Sequence, residues 1–128
     1  MAVFKKRVRL PDRALTNLDL MKYAKQLGIR NFRGVFMRDA LPRSGPRKNE
    51  TGILNLADEA DLGSHWVAWK KDGNKVFYFD SFGNLQPPSD LVTYFGSGKT
   101  IEYNHKRYQD FNSYNCGHLC LQFLSGQL

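Results

Sequence analysis

Two strand-like stretches, residues 66–70 and 76–80, lie on either side of Asp72-Gly73. An Asp-Gly pair between two β-rich runs is a strong short-range signal for a hairpin. A two-residue turn at Asp72-Gly73 sets a register: Lys71 faces Asn74, Trp69 faces Val76, Val67 faces Tyr78, and His65 faces Asp80. Directly opposed residues hold their Cβ atoms about 4.5–5.5 Å apart. Both faces of the hairpin are apolar, which places it inside a sheet covered on both sides. The register depends on the turn, since a slip of one residue would send His65 and Asp80 to opposite faces.

The 128 residues, 41% hydrophobic and 13% aromatic, suit one packed domain over residues 1–128, with a basic N-terminal arm over about residues 1–13. Thr16 and Asp19 have the spacing of a capping box, and Leu15 and Leu20 that of a hydrophobic staple. Leu18, Met21, Ala24 and Leu27 recur at helical spacing, and Gly28 is a natural stop. Residues 34–37 and 52–56 read as short strands. Residues 41–50, with two prolines, a glycine and three basic residues, read as a mobile loop. After the hairpin, Ser89 opens a short helix to Phe95, residues 100–104 alternate like a strand, and residues 112–115 form a polar turn. Leu119, Cys120, Phe123 and Leu124 then place a final helix over residues 116–124, with Gly126 after it. The expected fold is α+β: a mixed central sheet with helices and a cysteine at the N-terminus of a buried helix.

Cys116 opens that last helix. A helix N-terminus carries partial positive charge and free N–H groups, and both favour a thiolate. Asn115 is a suitable cap, and Gly117 leaves room for a substrate backbone. By residue type alone Cys116 reads as a small buried hydrophobe. The helix start, the preceding turn and the upstream His65–Asp80 pair shift the reading to a nucleophile. A nearby histidine can hold the thiolate as an ion pair, and a carboxylate can orient the imidazole. Trp66 is placed to shield the pair from water. His105 lies in a basic, exposed stretch and His118 points away from Cys116, so both are poorer bases. Cys120 lies among apolar residues and reads as core. A zinc site from Cys116, His118 and Cys120 is disfavoured, because a helix splays them and a fourth ligand is missing. No metal or other cofactor is required.

The net charge of +7 is unevenly spread. Residues 1–50 hold 13 Lys/Arg and 4 Asp/Glu, whereas residues 51–128 hold 6 and 8. Such asymmetry suggests a polyanion partner, most often nucleic acid, with a merely solubilising basic face as the alternative. Lys5, Lys6, Arg7, Arg9, Arg43, Arg47 and Lys48 are the candidate contacts. The first residues lack the apolar stretch of a secretory signal, and no apolar run approaches bilayer length. Two cysteines four residues apart give no disulfide framework. The expectation is therefore an intracellular protein with no membrane partner; the sequence does not fix the oligomeric state, and a monomer is favoured.

Gly63-Ser64-His65-Trp66, Phe79-Asp80-Ser81-Phe82-Gly83, and Gln109 seven residues before Asn115-Cys116-Gly117 follow one another in that order. In this the sequence resembles the adenovirus proteinase and related cysteine proteases of the same clan, which includes the SUMO-specific proteases. Phe32-Arg33-Gly34-Val35-Phe36, Leu41-Pro42 and Ile53-Leu54-Asn55-Leu56 look similar to the viral enzyme as well. The resemblance covers roughly residues 16–125. It implies His65 as base, Asp80 as third member, Gln109 as oxyanion donor and Cys116 as nucleophile. It further implies cleavage of viral or mobile-element precursor proteins during maturation, in a host nucleus or virion, with DNA as a possible activator. Asp80 stands where adenovirus enzymes use Glu and SUMO proteases use Asp. The segment from Asp80 to Gln109 contains no cysteine, so a disulfide-linked activating peptide does not carry over. The alternatives are an isopeptidase acting on ubiquitin-like modifiers, and a basic nucleic-acid-binding module that is not an enzyme.

Overall fold

The computed structural model describes residues 8–57, 65–110 and 113–128. Lys5, Lys6, Arg7, Gly63-Ser64 of the motif, and Asn112 of the polar turn lie outside these residues. The order of elements is α1 (Asn17–Leu27), β1 (Phe32–Met37), β2 (Asn49–Asn55), β3 (Trp66–Asp72), β4 (Lys75–Phe79), α2 (Ser89–Phe95), β5 (Thr100–Tyr103) and α3 (Cys116–Leu124). The five strands lie side by side in chain order. The outer pairs β1–β2 and β4–β5 are parallel and the inner pairs are antiparallel. This is the mixed α+β sheet that the sequence predicts, with Cys116 as the first residue of α3.

Strand alternation divides the interior into two cores. Ile53, Ala68 and Phe79 pair across β2, β3 and β4. They pack with Leu20, Ala24 and Leu27 of α1 and Leu121 and Leu124 of α3. The intervening residues Leu54, Val67, Trp69 and Tyr78 face the other way, onto Leu91 and Phe95 of α2. A strand buried on both faces needs apolar residues at successive positions, and residues 67–69 provide them.

The hairpin turn lies one residue beyond its expected place. Gly73 and Asn74 are the turn residues, and Gly73 has φ +61°. Gly-Asn offers a positive φ at the first turn position, as a type II′ turn requires. Trp69 therefore faces Tyr78, and Lys71 faces Val76. The register is shifted by two residues, so His65 and Asp80 are not directly opposed. A slip of two leaves the period-2 alternation unchanged, and the two side chains stay on one side.

Thr16 caps α1, with both bonds of the capping box to Asp19 present. Arg13 adds an ion pair to the same carboxylate at 2.6 Å. The buried stripe of α1 is Leu20, Ala24 and Leu27, whereas Leu18 and Met21 are 76% and 48% exposed. The expected stripe holds for its C-terminal half only. Leu15 enters the core beside Leu20, and this staple sets the roll of the helix.

Residues 41–50 are more ordered than a mobile loop. Asn49 and Glu50 already belong to β2, and Glu50 is fully buried. Its Oε1 accepts from Arg33 Nη1 at 3.1 Å and the Arg47 N–H at 2.8 Å. Its Oε2 accepts from Trp69 Nε1 at 3.1 Å and the Tyr94 hydroxyl at 2.8 Å. A buried carboxylate is tolerable only with such partners, and these tie the loop to β1, β3 and α2.

Candidate active site

β3 begins at Trp66 and β4 ends at Phe79, so His65 and Asp80 emerge at the same end of the sheet. His65 Nε2 donates to Asp80 Oδ1 at 2.8 Å, and both residues are buried. The same oxygen accepts the Phe82 N–H at 3.0 Å. The Phe82 ring stacks on the imidazole with centroids 4.2 Å apart and planes 10° apart. The imidazole is thus fixed at its edge by Asp80 and on its face by Phe82. With Nε2 engaged, Nδ1 is the nitrogen left for the thiol.

The Cys116 thiol lies near enough to His65 and to the backbone N–H groups of Trp66 and Gly117 for each to favour its thiolate. Burial acts to raise the thiol pKa, but these three donors and the imidazolium charge outweigh it and lower the value. Burial likewise acts to lower the His65 pKa, but hydrogen bonds to Asp80 and Cys116, with their charges, raise it to about 9. Both shifts favour the thiolate–imidazolium form. Asn115 occupies the N-cap of α3, yet its side chain makes no capping bond. Its Oδ1 accepts from the Ser113 hydroxyl at 2.9 Å instead.

Gln109 is buried on the segment leading to α3. Its Nε2 donates to the Ser113 carbonyl at 3.2 Å, and its Oε1 accepts from the Ser81 hydroxyl. An amide nitrogen carries two hydrogens, so Ser113 takes one and the second can donate elsewhere.

Gly117 does not open a path for a substrate backbone. A Cβ there would lie 3.2 Å from Leu15 Cβ, 3.3 Å from Leu20 Cδ2 and 3.4 Å from Trp66 Cδ1. The glycine allows α3 to dock on α1 and Trp66. The half-buried Trp66 packs into the same core, and its indole N–H donates to the Leu15 carbonyl at 3.0 Å. Its contribution at the thiol is its backbone N–H. His118 donates from Nε2 to the Pro11 carbonyl at 2.6 Å, and the exposed His105 binds Asn84 Oδ1 at 2.7 Å. Cys120 is completely buried in the core with α1.

Three positioning residues escape a linear reading. Asn104 holds both backbone groups of Asp80: its Nδ2 donates to the Asp80 carbonyl at 2.7 Å, and its Oδ1 accepts the Asp80 N–H at 2.9 Å. Phe82 and Ser81 act from the tight turn that follows Asp80, closed by Gly83 N–H to the Asp80 carbonyl at 2.9 Å. Gly83 has φ +81°, and a Cβ there would be 2.6 Å from the Lys106 carbonyl oxygen. The parallel pairing of Tyr78 with Tyr103 leads Asn104 toward Asp80. That register is the signal that would have found it.

Arg9, Arg43, Arg47 and Lys48 are exposed. Arg47 and Lys48 meet Lys71 and Lys99 around a shallow pocket at the hairpin tip, the opposite end of the sheet from Cys116. Lys71 itself is buried and donates to the Arg47 carbonyl at 2.8 Å and the Lys48 carbonyl at 3.1 Å.

The fold has solved counterparts. The structure of the ASFV pS273R protease matches with a TM-score of 0.57 and 18% identity, covering 94% of this chain and 61% of that one. The structure of the SUMO protease Ulp1, with its catalytic cysteine oxidized to a sulfinic acid, matches with a TM-score of 0.56 and 20% identity, covering 91% and 68%. Both neighbours are proteases, and the second has a catalytic cysteine. The chain spans about three fifths of the length of the pS273R protease. No family model and no curated protein sequence matches the chain.

Proposed function

We propose that this chain is a cysteine endopeptidase of the adenovirus-proteinase type that cleaves viral or mobile-element precursor proteins during maturation. The observation that carries the proposal is the buried His65–Asp80 hydrogen bond of 2.8 Å beside Cys116, whose thiol pKa the nearby His65 lowers. The Cys116 thiolate attacks the scissile carbonyl carbon and forms a C–S bond. The carbonyl oxygen becomes an oxyanion, received by the Cys116 N–H and the free hydrogen of Gln109 Nε2. The His65 imidazolium then protonates the leaving amine as the C–N bond breaks, leaving a thioester. Neutral His65 takes a proton from water, the resulting hydroxide attacks the thioester, and the acid product and thiolate–imidazolium pair are regenerated. Asp80 keeps the imidazole oriented throughout.

The test is incubation of the wild type and Cys116→Ala with a peptide library, read by mass spectrometry. Cleavage that depends on Cys116 supports the reading, and no cleavage by either overturns it as an endopeptidase. The second reading is an isopeptidase for ubiquitin-like modifiers, supported by the fold likeness to a SUMO protease and by the aspartate at position 80. Labelling by a ubiquitin- or SUMO-vinyl electrophile, with short peptides untouched, would favour it.

DNA is proposed as an activator because the basic surplus lies in the first half of the chain and exposed Arg47 and Lys48 sit with Lys99 in one patch. Binding through these charges should weaken steeply with salt by counterion release. Salt-insensitive or absent binding in fluorescence anisotropy would remove the DNA proposal. Protein precursors are the proposed partners, with a monomer in an infected cell's nucleus or in the virion as the setting.

A further inference from the structure

We propose that Ser81 is a positioning residue for the oxyanion site: its hydroxyl holds the Gln109 carboxamide in the orientation that the accept-only Ser113 carbonyl selects, with Nε2 available to the reacting carbonyl. This rests on the protease reading given above. A glutamine side chain is nearly symmetric in shape but not in chemistry. Its nitrogen donates and its oxygen accepts, so a flipped Gln109 would aim a carbonyl at the developing oxyanion and oppose catalysis.

Two partners determine the orientation. The Ser113 carbonyl can only accept, so the Gln109 atom 3.2 Å from it is Nε2. Oε1 then points to Ser81, whose hydroxyl donates to it. Ser81 is fully buried, and Gln109 nearly so, so water is a poor substitute for either bond. Ser81 is itself rigidly held, because its carbonyl accepts the Tyr108 N–H at 2.8 Å, one residue before Gln109. The turn from Asp80 to Gly83 therefore serves both halves of the site. Asp80 orients the base, and Ser81 orients the oxyanion donor.

The experiment separates the two halves by their chemistry. Alkylation of Cys116 by iodoacetamide requires the thiolate but develops no oxyanion. Acylation by p-nitrophenyl acetate requires both. Ser81→Ala is expected to alkylate at the wild-type rate and to acylate about 10- to 100-fold more slowly, within the roughly 10²- to 10³-fold expected for losing an oxyanion donor outright. Ser81→Thr keeps the hydroxyl and should recover acylation to within about threefold of wild type. Gln109→Ala combined with Ser81→Ala should acylate no more slowly than Gln109→Ala alone, because Ser81 acts only through Gln109.

Wild-type acylation by Ser81→Ala overturns the proposal. So does a further loss in the double variant, or a parallel loss of alkylation, which would assign Ser81 to His65 and Asp80 or to the fold. If the wild type acylates no faster than Cys116→Ala, the protease reading fails, and the role of Ser81 fails with it. If the wild type acylates and Ser81→Ala equals it, only the role of Ser81 fails.

Discussion

Asn104 holds Asp80 by both of its backbone groups, donating to its carbonyl at 2.7 Å and accepting its N–H at 2.9 Å. The side-chain amide thus imitates the next rung of a β-ladder just past the end of β4, and it sets where the Asp80 carboxylate meets His65. Asn104→Ala leaves the Asp80 N–H without its partner, leaves its carbonyl with the Gly83 N–H alone, and lets that carboxylate shift. A small misplacement of a catalytic group can cost about 100-fold in rate, so kcat/KM of the variant should fall by about 10- to 100-fold. Wild-type kinetics in Asn104→Ala would show that the turn after β4 holds Asp80 unaided.

The coupled pair sets the pH dependence. The Cys116 pKa is lowered and that of His65 is raised to about 9. As pH rises, the thiol deprotonates first, below the ordinary thiol value of about 8.5, and the imidazole keeps its proton until about 9. Between those points the site holds a thiolate and an imidazolium. Iodoacetamide labelling of the wild type should rise at lower pH than for an ordinary thiol, while His65→Ala should follow an ordinary or higher thiol pKa near or above about 8.5. Hydrolysis should decline above about pH 9, as the general acid is lost. Identical labelling profiles for the two proteins would dissolve the ion pair.

Glu50 organises the opposite end of the sheet. Its carboxylate receives Arg33, the Arg47 N–H, Trp69 and Tyr94, and none of it reaches solvent. Removing one partner of a buried ion pair costs about 3–5 kcal/mol because the remaining groups lose their complement. Glu50→Ala should lose stability on that scale in urea unfolding. The iodoacetamide reactivity of the folded fraction should stay at the wild-type level, since the site is at the other end of the strands. A loss below about 1 kcal/mol would mean that water replaces the carboxylate.

The face of α1 is testable by a paired substitution. Leu20 is fully buried and Leu18 is 76% exposed. Leu20→Ala should cost about 2–5 kcal/mol through lost contacts and a cavity. Leu18→Ala should stay within about 0.5 kcal/mol of wild type. Equal losses in thermal unfolding would place the helix at a different roll.

Local chemistry determined much of this protein. The capping box at Thr16 and Asp19, the doubly apolar hairpin, and the helix opening at Cys116 each depend on residues within a few positions of one another, so a linear reading reaches them. The association of His65 with Asp80 came from the same hairpin, although the turn lies one residue later than expected. It survived because a two-residue slip preserves the side on which each chain projects. Tertiary structure decided the rest. The roll of α1 depends on what α3 and the sheet offer it, so periodicity alone placed Leu18 in the stripe, whereas the structure exposes it and buries Leu20. Gly117 proved to be a packing contact because Leu15, distant in sequence, fills the space beside it. Asn104, Ser81 and Phe82 acquire their roles only when the parallel pairing of β5 and the turn after β4 bring them to Asp80, Gln109 and His65. A hydrogen bond between residues far apart in the chain leaves no periodic trace in the sequence, because its geometry exists only once the backbone has closed around it.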